Sequence, residues 1–198
     1  MVSVILKNWV IFVSKSVEKL TKGIVAELND TIVVLDTETT GFSQYKDRIV
    51  EFGAIKLTGG KVVDTMSILI NPRMDIPQSA ISVHGITNKM VENEPDEEYY
   101  LPKIINFING ASYIVGHNVS FDIRFLEQLF KRYGYSFDCE YIDTLKFAKQ
   151  FYPNALNHKL TTLAEYLNID IKEAHRALAD VETTVWLLRY LAYEVMQK

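Results

Sequence analysis

The chain has 198 residues, long enough for one domain with a sizeable core and short for two. Hydrophobic residues make up 48% and charged residues 23%, which is ordinary globular usage and argues against a disordered, fibrous or membrane protein. The 21 Lys and Arg against 25 Asp and Glu leave a net charge of −4, so a polyanion can be held only through local groups or bound cations.

Residues 1–30 read as an N-terminal extension. Trp9, Val13, Val17, Leu20 and Ile24 recur every three or four residues, the stripe of an amphipathic helix. Lys7 and Asn8 interrupt the apolar part and no small-residue cleavage site follows, unlike a signal peptide. The segment is also too short and too charged to span a bilayer, so no membrane association is expected. The single cysteine, Cys139, rules out an internal disulfide and fits a reducing, cytoplasmic setting. Its acidic neighbours in FDCEY would raise a thiol pKa, which points to a structural cysteine.

"TIVVLD" (31–36) is a short β-branched run of the kind found in central strands. "DRIVEFGAIKL" and "KVVDTMSILI" flank Thr58-Gly59-Gly60, a glycine pair suited to a tight hairpin, so the first three strands form a meander. The stretch from 72 to 96 reads as irregular, with one short helix. "EEYYLPKIINFING" reads as a helix stopped by Gly110, and "SYIVGHN" as a fourth strand. Ser120 is placed to cap the helix "FDIRFLEQLFKRYG", and "EYIDT" is a fifth strand. Helices follow near 144–151 and 159–167, then a long one whose Leu178, Val181, Val185, Leu188, Ala192 and Val195 make one continuous seam. The order β-β-β-α-β-α-β-α-α is a mixed α/β layer fold with a five-stranded sheet.

The apolar run of the first strand ends in Asp36 and Glu38. Residues two apart on a strand face the same side roughly 6 to 7 Å apart, where two bare carboxylates repel. Divalent cations such as Mg²⁺ or Mn²⁺, which prefer hard oxygen ligands, make the pair favourable. A solvated turn at Thr39-Thr40-Gly41 explains an isolated D-x-E equally well, so the pair needs partners. Asp122 stands at the start of a helix leaving the fourth strand, where the helix dipole favours an anion. Asp180 follows His175 by five residues, which on a helix leaves the side chains about 140° apart, so His175 belongs on the loop before that helix.

"LDTETTGF", "GHNVSFDIRFL" and "AHRALAD", in that order, resemble the three exonuclease motifs of the DEDDh family, the DnaQ-like 3′-to-5′ exonucleases on a ribonuclease H-like fold. The resemblance runs from about residue 31 to 195, with no motif residue departing from the pattern. "VHGIT", "YIDTLKFA" and "HKLTTLAEYLNI" are similar to segments of bacterial proofreading subunits and PolC-type exonuclease domains.

The resemblance implies that Asp36, Glu38, Asp122 and Asp180 hold two Mg²⁺ or Mn²⁺ ions and that His175 is the general base for the attacking water. It also implies that Phe42 stacks on a terminal base and His84 contacts the terminal nucleotide, with Thr39 and Asn118 as further candidates. Lys46, Arg48 and Arg124 are available to the phosphate backbone or to solvent. The implied partner is a single-stranded or frayed 3′ end, DNA favoured, with proofreading beside a DNA polymerase as the setting. No long tail follows the last helix, so a polymerase needs another docking surface, for which the N-terminal stripe is a candidate; it can equally form a homodimer or cap the core. RNA 3′-end trimming and a non-catalytic nucleic-acid or polymerase-binding module remain alternatives.

Overall fold

The computed structural model describes residues 3–6, 14–170 and 176–198. Where one amphipathic helix is expected over the first 30 residues, the described part instead holds strand β1 (Ser3–Leu6), strand β2 (Lys15–Ser16) and helix α1 (Lys22–Glu27), which Thr21 caps. Trp9 and Val13 lie outside the described residues. Leu20 is buried, and Val17 and Ile24 pack against the same core. Strand pairing with distant partners overrides the helical spacing here, since periodicity carries no information about which edges await a strand.

The main sheet has the order β2-β8-β6-β3-β4-β5. Strands β3 (Ile32–Thr39), β4 (Ile49–Thr58) and β5 (Lys61–Leu69) form the expected antiparallel meander. Gly59 and Gly60 turn the β4–β5 hairpin with φ of +59° and +70°, the pair of positive values a type I′ turn requires. Strands β6 (Tyr113–Gly116) and β8 (Glu140–Asp143) run parallel to β3, and β2 adds to β8. The sheet therefore has six strands rather than five, the extra one drawn from the N-terminal segment. Strand β7 (Tyr135–Asp138) pairs with β1 in a separate two-stranded sheet that the sequence reading lacks.

The helices are α2 (Gln78–His84), α3 (Asn88–Val91), α4 (Glu97–Ile108), α5 (Ser120–Arg132), α6 (Thr144–Phe151), α7 (Leu160–Tyr166) and α8 (Ala177–Gln197). Ser120 lies inside α5 and does not cap it; the chain turns instead at Asn118, whose φ is +63°. Among the described residues, no helix is long and apolar enough to cross a membrane.

Helices cover both faces of β3, and this sets the site. Val33 and Leu35 join a core with Ile104, Ile108 and Phe125 of α4 and α5. Ile32 and Val34 join a second core with Val181, Val185 and Leu188 of α8. Each such side chain, fully buried, is worth roughly 1.5 to 3 kcal/mol, so these seams fix α8 and α5 against the strand with ample margin. Strand β6 pairs with β3 only from Ile32 to Val34, leaving the last part of β3 uncovered on that edge.

Candidate active site

Alternation along β3 assigns each acid its face. Asp36 and Glu38 keep the parity of Ile32 and Val34 and so turn toward α8, whereas Thr37 keeps that of Val33 and Leu35 and turns toward α5. From the α8 side comes Asp180, in the first turn of that helix. One carboxylate oxygen from each of Asp36, Glu38 and Asp180 lies within 4.8 Å of the others. From the α5 side comes Asp122, itself buried, whose Oδ1 accepts hydrogen bonds from Thr37 N–H at 2.9 Å and Thr37 Oγ1–H at 2.6 Å.

Two glycines permit this convergence. A Cβ on Gly116 would meet Val119 Cγ2 at 2.7 Å and the Leu35 carbonyl oxygen at 2.8 Å, so only glycine lets β6 and the turn into α5 sit this close to β3. A Cβ on Gly53 would meet the backbone of Ala177 and Leu178 at 2.6 Å. Gly53 stands opposite Asp36 in the β3–β4 register, so the start of α8 lies directly over the strand position beside Asp36.

The acids stand in one another's field with little water to screen them. Burial pushes Asp36 well above the usual carboxylate range, and the charges of Asp122, Glu38, Asp180 and Glu51 push the same way. Glu38 rises to about 8, first by burial and then by Asp180, Glu51 and Asp122; the Arg176 guanidinium opposes this. Burial also raises Asp122 to about 7, against the lowering effect of its bonds to Thr37. Hard oxygen donors held together at such electrostatic cost are what a Mg²⁺- or Mn²⁺-sized cation relieves, so the donor set fits the expected cofactor.

Three of the four expected substrate contacts share a cavity of about 190 Å³ lined by Glu38, Thr39, Phe42, Val83, His84 and Phe121 among others. Phe42 is 89% exposed and meets Phe121 edge-on at 6.4 Å. His84 is buried; its Nδ1 accepts from Ile86 N–H at 3.0 Å, which places the ring hydrogen on Nε2. That Nε2 is buried without a well-formed hydrogen bond among the described residues, and the Thr39 backbone lies close enough to oppose the lowering of the His84 pKa. Burial lowers the His84 pKa, so the ring is a neutral donor in the cavity wall. Thr39 Oγ1 donates to the Gly41 carbonyl. Asn118 stands apart: its N–H is held by Asp143 Oδ1 at 2.9 Å and it does not line this cavity. His175 lies outside the described residues.

Lys46 and Arg124 are exposed. Arg48 is engaged by the Lys46 and Asp47 carbonyls and stands 3.8 Å from Glu97, so it serves its own loop rather than an open surface. Cys139 is buried and its thiol is pushed up to about 12 by burial, in keeping with a structural role. Thr37, Glu51 and Gly53 are site residues that the sequence reading missed. A lone glutamate in "RIVEFGAI" was the available signal, since a charge inside an apolar strand is fully buried only when paired.

Residues 33–188 match the family described as Exonuclease, named for RNase T. The chain is 36% identical over 162 residues to a DNA polymerase III of PolC type from Clostridium perfringens, and 38% identical over 170 residues to the one from Oceanobacillus iheyensis. These matches cover 82% and 85% of the chain but only 11% and 12% of the relatives' length. Among solved structures it resembles Exonuclease X in complex with 5′ overhanging duplex DNA, at a TM-score of 0.67 and 29% identity, covering 82% of this chain and 91% of that one. Escherichia coli Exonuclease I bound to a dA16 oligonucleotide shares the fold, with a TM-score of 0.72 at 20% identity over 85% of this chain and 42% of that one. With three carboxylates converging at one strand end, Asp122 in their field and a match over most of its length, the chain belongs to the RNase T-type exonuclease family.

Proposed function

We infer that the chain is a 3′-to-5′ exonuclease that releases nucleoside monophosphates one at a time from 3′ ends of DNA, in proofreading or repair. The observation that carries this reading is the convergence of Asp36, Glu38 and Asp180 within 4.8 Å, with buried Asp122 adjoining them. Residues 31–198 form the exonuclease domain and residues 1–30 its extension, acting in the cytoplasm beside a DNA polymerase subunit. The PolC-type relatives support that setting.

Asp36, Glu38, Asp122 and Asp180 would hold two Mg²⁺ or Mn²⁺ ions. These supply the Lewis acidity that activates water and the charge that offsets the phosphate. The protein's own part is positional. β3 and α8 deliver three carboxylates from one side, and Thr37 fixes the fourth by two hydrogen bonds. His175, which precedes Arg176 in the sequence, takes the proton from the attacking water. Phe42 and the neutral His84 ring receive the terminal nucleotide, the first by stacking and the second through its Nε2–H in the cavity wall. Cations held by the acid cluster would offset its repulsion, so that a domain of net charge −4 would bind a polyanion in their presence.

The test is incubation of the purified chain with end-labelled single-stranded DNA and RNA of equal sequence, with Mg²⁺, Mn²⁺ or EDTA. Stepwise shortening of DNA from the 3′ end, dependent on metal and lost in Asp36→Ala, is expected. Preference for RNA redirects the substrate assignment to 3′-end trimming. No shortening with either metal leaves a binding module.

A further inference from the structure

Glu51 is 1% exposed and stands directly across the β3–β4 register from Glu38. A buried carboxylate beside four others adds to their mutual repulsion, so its presence needs a reason. Both of its oxygens are taken by the segment entering α8. Arg176 reaches Oε1 through Nη2 at 2.8 Å and Nε at 3.2 Å, and Ala177 N–H donates to Oε2 at 3.0 Å. Gly53, two residues along on the same face of β4, leaves the room in which Ala177 and Leu178 rest. Asp180 follows Ala177 by three residues, roughly 4.5 Å along the helix axis. The two β4 positions that seat α8, Glu51 and Gly53, are thus the two that face Glu38 and Asp36.

We propose that Glu51 is a positioning residue that clasps Arg176 and Ala177 and thereby holds the first turn of α8 where Asp180 completes the cation cage with Asp36 and Glu38. The inference rests on the reading of those acids as cation ligands. A simple packing role would leave cation affinity unchanged once the protein is folded. A clasp that sets a ligand's station changes that affinity directly, because residues behind the ligands commonly govern metal binding by about 10- to 100-fold.

The experiment is calorimetric titration of the full chain with Mn²⁺ in the absence of nucleic acid, accompanied by kcat and KM on single-stranded DNA, for wild type, Glu51→Gln, Arg176→Lys and the double variant. Glutamine keeps the volume and still accepts from Ala177 N–H, but its amide turns donors toward the donors of Arg176. Arg176, with its side chain 41% exposed, can be shortened without emptying a core site, so it carries the same readout should Glu51→Gln fold poorly. Mn²⁺ affinity and kcat are each expected to fall about 10- to 100-fold in Glu51→Gln. KM is expected to stay within about threefold, and the double variant to lose no more than the worse single one, since both act through one clasp. Unchanged Mn²⁺ affinity in folded Glu51→Gln and Arg176→Lys would overturn the proposal while leaving metal-dependent exonuclease activity of the wild type intact. Weakened Mn²⁺ binding in a chain whose wild type degrades no nucleic acid would instead sustain the clasp and remove the proposed function.

Discussion

Asp122 and Thr37 are joined twice: a single carboxylate oxygen accepts both the backbone N–H and the hydroxyl of the threonine, 85 positions away in sequence. The threonine thus favours the ionised form of an acid that burial would otherwise protonate. Its neighbours Asp36 and Glu38 point to the other face, so one short stretch of strand serves acids on both sides of the sheet.

Thr37→Val keeps the shape and the backbone donor but deletes the hydroxyl. A charge-assisted bond of this kind is worth about 1.5 to 3 kcal/mol, and a loss in that range is expected in thermal unfolding above pH 7. Turnover should fall about 10-fold, with Thr37→Ser close to wild type.

The acid cluster makes stability depend on pH in an unusual direction. Glu38, raised to about 8 when folded from about 4.5 when unfolded, binds more protons in the folded state between those values. Its contribution is therefore fully present below about pH 4.5 and is lost as pH rises through about 8. The metal-free chain should show a falling unfolding midpoint from pH 5 to 8.5 that becomes shallower in Glu38→Gln, with Asp36 and Asp122 supplying the remaining slope. Saturating Mn²⁺ should reverse the trend, because cations bind the deprotonated acids.

Asp36→Asn removes the most crowded charge without changing volume. The metal-free variant is expected to be more stable than wild type by about 0.5 to 2 kcal/mol, the gain common when a strained functional group is neutralised. Its stabilisation by Mn²⁺ should vanish along with activity. Paired denaturation curves with EDTA and Mn²⁺ provide the check.

Phe42 lies almost wholly in solvent, so Phe42→Ala should leave the unfolding midpoint within the spread of a surface substitution, about 0.5 kcal/mol. Loss of one stacking surface should weaken substrate binding by about 1 to 3 kcal/mol. Steady-state kinetics should place this loss in KM.

Gly53→Ala puts a methyl group 2.6 Å from the backbone of α8, which cannot yield as a side chain end can. Overpacking of this kind costs about 1 to 3 kcal/mol, and the displacement of Asp180 should appear as weaker Mn²⁺ binding. Calorimetry of the folded variant separates the two effects.

Much of this arrangement was legible in the chain. The β-branched run ending in Asp36 and Glu38, the Gly59-Gly60 turn and the seam of α8 are local patterns, and each appears where its spacing places it. What escaped were relations between distant segments. Ser3–Leu6 and Tyr135–Asp138 each lack a pattern of their own and become strands only by meeting. Glu51 gains its meaning, as does nearby Gly53, from the helix that lands on it 126 positions later, which no window of sequence contains. The turn into α5 likewise relies on the positive φ of Asn118 instead of the serine hydroxyl expected to cap it.

Strand β6 makes its last partner of Val34 and goes no further along β3. Had it run a few residues more, its own carbonyls would have claimed the Thr37 N–H and Asp122 would find its berth occupied. The chemistry of this domain therefore depends on a place where regular structure stops early: a ladder left one rung incomplete is the opening through which the fourth acid enters.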